Sequence, residues 1–180
     1  DIGFDHMHVL GRTIEEIALQ KVGIVKQGNT LIMHAQSDAV MNVIQRYVTK
    51  QGGKVVVSKP DEGLLFQQRN WKLAYSVYEL LRERDNLKVL EPESLGQSQQ
   101  LHVAGRMDII KSRSKTIVLD GAHNEQKMSA FLDSLTASHP NKKFVVLMAL
   151  KQGKELEQLV PLLTPLVSGL IATELAGSQD

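Results

Sequence analysis

Asp120, Gly121, His123 and Asn124 fall within five residues of one another, directly after the apolar run Ile117-Val118-Leu119. A short uninterrupted apolar run is the pattern of a strand buried on both faces. The carboxylate, imidazole and amide would then sit at the strand's carboxyl end, where open α/β sheets bind their ligands. The same residues also make an ordinary strand-turn-helix in which Asp-Gly only supplies the turn, and spacing alone leaves both readings open. Arg106 follows the flexible Gly105, which makes it either a phosphate ligand or a solvated surface arginine. Gln67 and Asn70 stand three apart near the start of a helical pattern. Such amides either satisfy the helix's orphan N–H groups or read a base edge, since each offers a donor and an acceptor.

Two further candidates lie near the beginning of the chain. His6 and His8 are two residues apart, so an extended backbone would put both rings on one face. Two histidines without further ligands are a weak metal signal. Lys21 falls seven residues after Ile14 and four after Ile17, on the apolar stripe of a helix. A lysine there either snorkels to solvent or has its charge removed or changed by chemistry.

These residues need elements to hold them. Thr13-Ile14-Glu15-Glu16 is a capping box, predicting a helix over 14–26 packed by its Ile14 and Ile17 face. Strand, helix, strand follows: Leu31-Ile32-Met33, then a helix opened by Asp38 and closed by Gly52-Gly53, then Lys54 to Ser58. This βαβ rhythm predicts a parallel sheet. Lys59 to Gly63 reads as a turn or linker, followed by a helix offering Trp71, Ala74, Val77, Tyr78 and Leu81 for packing. Glu91 to Gln100 is polar, contains Pro and Gly, and is the best internal boundary. Beyond it, strands at 115–119, 143–150 and 169–175 alternate with helices carrying Met128, Phe131, Leu132 and Leu135, and then residues 153–167. That is βαβαβ, again a parallel open sheet.

Composition excludes several function classes. Apolar residues make 42% of the 180 and charged residues 23%, as in globular rather than disordered chains. Lys and Arg total 21 against 20 Asp and Glu, so no net field points to nucleic acid or membrane. Cysteine is absent, which removes disulfides, thiolate metal sites and a Cys nucleophile. No apolar run reaches membrane-spanning length. A start at Asp1-Ile2-Gly3-Phe4 reads as entry in mid-domain, so the chain is expected to be a piece of a longer protein. No phosphate loop G-x-x-x-x-G-K-[ST] is found: Gly53-Lys54 and Gly153-Lys154 both lack the first glycine and the final hydroxyl. A Rossmann G-x-G-x-x-G and a G-x-S-x-G elbow are also missing.

Four motifs nevertheless stand in order along the chain. Ile2-Gly3-Phe4-Asp5-His6 leads through Leu10-Gly11 and Thr13 to Glu16 into Lys21-Val22-Gly23-Ile24-Val25-Lys26. Then come Gln67-x-x-Asn70, Ala104-Gly105-Arg106 and Asp120-Gly121-Ala122-His123-Asn124. Together they resemble the folylpolyglutamate synthase and dihydrofolate synthase group of the Mur ligase superfamily, ATP-dependent ligases that form amides. Phe66 stands where that group's adenine motif has His, the segment between Val57 and Gln67 is short, and the group's phosphate loop would lie before Asp1.

The resemblance implies an α/β fold of two parallel-sheet units. Residues 1–100 would be the C-terminal part of a central ATP-binding domain, and 101–180 a truncated Rossmann-like ligase domain. It implies that L-glutamate is joined to folate or dihydropteroate through an acyl phosphate, with ATP and Mg2+ as cofactors and a monovalent cation as an option. His6 would bind the metal and Lys21 would be carbamylated. Asn70 would contact adenine, Arg106 the phosphates, and Asp120 and His123 the nucleotide and the reacting acyl phosphate. A cytoplasmic monomer without nucleic-acid or membrane partners is expected, with the 180 residues alone inactive. The competing expectations are a Mur-type ligase of cell-wall precursors and a non-catalytic α/β nucleotide-binding module.

Overall fold

Thr13 opens the first substantial helix as its sequence dictates. Its hydroxyl accepts the Glu16 N–H at 3.2 Å, and the Glu16 carboxylate accepts the Thr13 N–H at 3.1 Å, closing a reciprocal capping box. The computed structural model describes residues 2–58, 65–101, 103–149 and 156–174. The chain divides into two units, Asp1–Gln100 and Leu101–Asp180.

The first unit begins with α1 (Met7–Leu10) and α2 (Ile14–Val22). β1 (Thr30–His34), α3 (Asp38–Lys50) and β2 (Lys54–Ser58) form the expected βαβ, with β1 and β2 parallel. In this register His34 lies beside Ser58, both at the carboxyl ends of their strands. α2 packs on α3 around Ala18, Val22, Val25, Val40, Ile44 and Val48, with Leu31, Met33 and Val55 of the strands against them. α2 is shorter than the predicted 14–26 and ends at Val22, where Gly23 closes it; Val25 is buried beyond the helix. Lys21 is therefore in the last turn of α2 rather than in its middle.

α4 (Phe66–Asp85) carries no fully buried residue, and of its expected packing set Ala74 and Val77 are exposed. It lies against β1 and β2, and a polar contact ties it to the segment that follows. Trp71 stacks on Tyr75 with centroids 5.1 Å apart, and its Nε1–H donates to the Ser98 hydroxyl at 3.0 Å. Ser98 belongs to α5 (Pro92–Gln99), so the polar segment expected as the internal boundary is mostly helix, started by Pro92 at its first position. The Lys59 to Gly63 turn lies outside the described residues.

In the second unit, β3 (Asp108–Ser112) and β4 (Lys115–Leu119) form an antiparallel hairpin. This corrects the expectation that 115–119 is a parallel strand buried on both faces: Ile117 and Leu119 are each 45% exposed. Among the described residues β4's hydrogen bonds go to β3 alone, and no second strand flanks it. α6 (Glu125–Ser138) buries Met128, Leu132 and Leu135, while β5 (Phe144–Ala149), α7 (Leu156–Leu163) and β6 (Val167–Thr173) make a βαβ with β5 and β6 parallel. The predicted helix over 153–167 is described only from Leu156. The fold is α/β with parallel strand pairs, as expected. No helix among the described residues is long and apolar enough to cross a membrane.

Candidate functional site

The residues singled out by sequence fall into two sets. Arg106, Asp120 and His123 come together in the second unit; His6, Lys21 and Asn70 belong to the first.

β4 delivers Asp120 one residue past its end, facing the turn that precedes β3. Both carboxylate oxygens are engaged: Oδ2 accepts the Met107 N–H at 2.7 Å and Oδ1 the Ala122 N–H at 2.8 Å. The Gly121 N–H donates to the Gly105 carbonyl at 3.0 Å, so the Gly105-Arg106-Met107 turn is tied to the strand end at two points. Two backbone features let the turn come this close. Gly105 has φ +68°, in the left-handed region where a side chain is strained. At Gly121 a Cβ would stand 2.8 Å from Arg106 Nη1, so the guanidinium lies where any larger residue would displace it. Asp120 thus positions Arg106, a role that residue type and spacing did not reveal.

His123 is oriented from both sides. Its Nδ1 is 2.8 Å from the Gly121 carbonyl, which can only accept, so Nδ1 carries the proton. Its Nε2 is 3.0 Å from Lys127 Nζ, an ammonium that can only donate, so Nε2 presents its lone pair. Both contacts suit an imidazole that carries its proton on Nδ1. Asn124 caps α6, its Oδ1 accepting the Lys127 N–H at 2.9 Å. Arg106 and Lys127 bring two cations to the strand end beside this helix start. An arrangement of that kind can hold an anion such as a phosphate. Sequence reasoning missed Lys127, although its position four residues after His123 was the available signal.

In the first unit, Lys21 is half-buried and lines a cavity of about 170 Å³ walled by Leu31, Ile32, Ile44 and Leu73. His34 and Gln36 face the same cavity. Gln36 is engaged: its Oε1 accepts the Ile2 N–H at 2.8 Å and its Nε2 donates to the His34 and Ala35 carbonyls, each at 3.0 Å. His34 is 7% exposed, and neither ring nitrogen has a partner among the described residues. Burial, with the Arg69 guanidinium adding to it, holds its basicity below the ordinary histidine range. His34 was also missed, because at the end of an apolar run it reads as an interruption of the strand.

His6 has φ 53°, left-handed for a non-glycine residue, and its Nε2 is 3.7 Å from the Asp5 carboxylate. The His8 ring lies 6.3 Å from that of His6 and tilted by 60°. No group of three metal-binding side chains occurs among the described residues. Mg2+ is commonly held by one or two protein groups together with substrate phosphates and water, and the carboxylate and imidazole of Asp5 and His6 fit that share. Asn70 is exposed in the second turn of α4. The amide that satisfies the helix start is Gln68, whose Oε1 accepts the Leu65 N–H at 3.0 Å, so Asn70 does not cap it.

Comparison with known proteins gives these sites a setting. Residues 105–180 match the family described as Mur ligase, glutamate ligase domain, a span that starts at Gly105 and includes the whole Arg106–Asp120–His123 cluster. The chain is 25% identical over 190 residues to the dihydrofolate synthase/folylpolyglutamate synthase of Bacillus subtilis, covering 88% of this chain and 44% of that protein. It is 24% identical to the dihydrofolate synthetase of Saccharomyces cerevisiae over 195 residues, 92% of this chain and 46% of the relative. The chain thus spans about half the length of the relatives it matches. Among solved structures, an FPGS–AMPPCP–folate complex superposes with a TM-score of 0.81 at 21% identity, covering 99% of this chain and 51% of that one. The apo form of L. casei FPGS gives 0.76 at 21% identity, with 99% and 50% coverage.

Proposed function

We propose a glutamate-adding function for the protein that contains this chain, proceeding from the match of residues 105–180 to the Mur ligase glutamate ligase domain and from the chain's likeness to folylpolyglutamate and dihydrofolate synthases. The substrates are ATP, L-glutamate and a folate or dihydropteroate carboxylate. The ATP γ-phosphoryl passes to that carboxylate, giving an acyl phosphate and ADP. The glutamate amine then attacks the acyl carbon, phosphate leaves with the C–O bond electrons, and the nitrogen loses a proton to give the amide. The observation that carries this reading is the strand-end cluster. Arg106, Lys127, the start of α6 and His123 come to the end of β4, where Asp120 binds the Met107 and Ala122 N–H groups, within the matched glutamate ligase domain.

Each residue has a part in that chemistry. Arg106, held by Asp120, neutralises charge on the transferring phosphoryl group. Asp120 serves the nucleotide through that positioning. His123 offers Nε2 as an acceptor near the acyl phosphate, and Lys127 sets its orientation. Asn70 contacts adenine with its donor and acceptor. His6, with Asp5, contributes to Mg2+, which when bound supplies Lewis-acid polarisation of the phosphate oxygens. Lys21 carries a carbamate, an anion made in place on the wall of the cavity. Residues 1–100 act as part of an ATP-binding domain and 101–180 as part of the ligase domain, in a cytoplasmic monomer.

The test uses the complete protein with ATP, Mg2+, L-glutamate and either dihydropteroate or a reduced folate, reading the product by mass spectrometry. ATP-dependent gain of glutamate on either pterin supports the proposal; no gain on both, from folded protein, contradicts it. Within the active enzyme, Asn70→Ala should raise KM for ATP about tenfold with kcat little changed, as for loss of uniform binding. An unchanged KM removes Asn70 from the nucleotide site.

A further inference from the structure

The Lys21 cavity contains a feature that carbamylation of Lys21 does not by itself explain. Its polar side chains are Lys21, His34 and Gln36, and no acidic group lines it among the described residues. Gln36 spends its amide on three backbone groups. His34 alone brings unpartnered polar atoms, two of them, on a side chain more than nine-tenths buried. A buried polar atom left without a partner is destabilising, so a histidine kept in this position calls for a ligand in the cavity. The cavity, about 170 Å³, has room for a carboxylate-sized group.

The charge balance says which kind. The described lining has no carboxylate, and once Lys21 is carbamylated its ammonium is gone too, so the new anion is met by the His34 imidazole. Lys21 also lies in the last turn of α2, at the negative end of the helix dipole. That position favours an ammonium and disfavours an anion, so a carbamate on Lys21 needs a hydrogen-bond donor close by. The two features answer each other.

We propose that His34 is a positioning residue for the Lys21 carbamate, its imidazole N–H donating to a carbamate oxygen across the cavity. The inference rests on the carbamate reading of Lys21 given above. In the underlying step the unprotonated Nζ attacks carbon dioxide, a C–N bond forms, one C=O electron pair moves onto oxygen, and the nitrogen gives one proton to solvent. His34 enters with both nitrogens uncommitted, so it can adopt whichever tautomer turns an N–H to the anion. Arg69, whose guanidinium acts electrostatically on His34, reinforces the positive surroundings.

The experiment is carbon-13 NMR of the complete protein equilibrated with labelled bicarbonate. Wild-type protein should show a carbamate carbonyl resonance that is absent from Lys21→Ala. His34→Leu should lose the resonance by about tenfold in occupancy, whereas His34→Gln, which restores an N–H donor, should keep most of it. A second reading needs no His34 variant: the His34 ring nitrogen-15 signals of wild type should move when bicarbonate is added, and should stay still in Lys21→Ala. A resonance at wild-type strength in His34→Leu, or His34 ring signals indifferent to bicarbonate, overturns the role of His34 while leaving the carbamate standing. Absence of the resonance from wild type overturns both.

Discussion

Lys21→Ala is expected to lower glutamate addition by the complete enzyme about 10³-fold, the scale of removing a general base or a charge partner of the transition state. The fold should survive. Lys21 occupies the last turn of α2, alanine is a good helix former, and the core beneath is made by Ala18 and Val22 rather than by the lysine. Lys21→Gln should be as inactive, because it removes the ammonium without creating the anion. A small carboxylate in solution should restore part of the Lys21→Ala activity by entering the cavity that the side chain vacates. Wild-type turnover from Lys21→Ala, or recovery in Lys21→Gln, would exclude the carbamate as a working group.

The second large effect is expected at Asp120. Its two charge-assisted bonds to the Met107 and Ala122 N–H groups, each worth about 1.5–3 kcal/mol, hold the turn that carries Arg106. Arg106→Ala should lower kcat/KM about 10²–10³-fold by removing phosphoryl stabilisation. Asp120→Ala should approach the same loss, because the guanidinium is then no longer held over Gly121. The double variant distinguishes positioning from direct contact. If Asp120 acts through Arg106, combining the two costs little more than either alone; independent roles would multiply the losses. Asp120→Asn should not rescue, since an amide NH2 would face one of the two backbone donors.

The elements that local chemistry dictates were legible in the sequence. Thr13 and Glu16 announce the α2 cap, Lys54 to Ser58 is a β-branched strand, and Met128, Leu132 and Leu135 form the buried stripe of α6. Pairing was less so. The β3–β4 hairpin turns on Arg113-Ser114, with Arg113 at φ 52°, where the usual hairpin signal is Asn-Gly or Asp-Gly. Without that signal Ile117 to Leu119 reads as one more parallel strand. At the site, residue types were readable and their connections were not. Asp120 looks like a ligand in sequence, yet both its oxygens serve the backbone. Lys127 and His34 acquire meaning only through what lies 3.0 Å from the one and what is missing beside the other.

The most direct measurement of the central claim follows oxygen through the reaction. The complete protein is incubated with ATP, L-glutamate and a pterin substrate whose reacting carboxylate carries oxygen-18. Amide formation through an acyl phosphate moves one labelled oxygen from the carboxylate to inorganic phosphate for each glutamate added, because the C–O bond broken is on the carbon side of that oxygen. The predicted result is stoichiometric label in phosphate, lost in step with amide product when Arg106 is replaced. Glutamate addition with unlabelled phosphate would contradict the account.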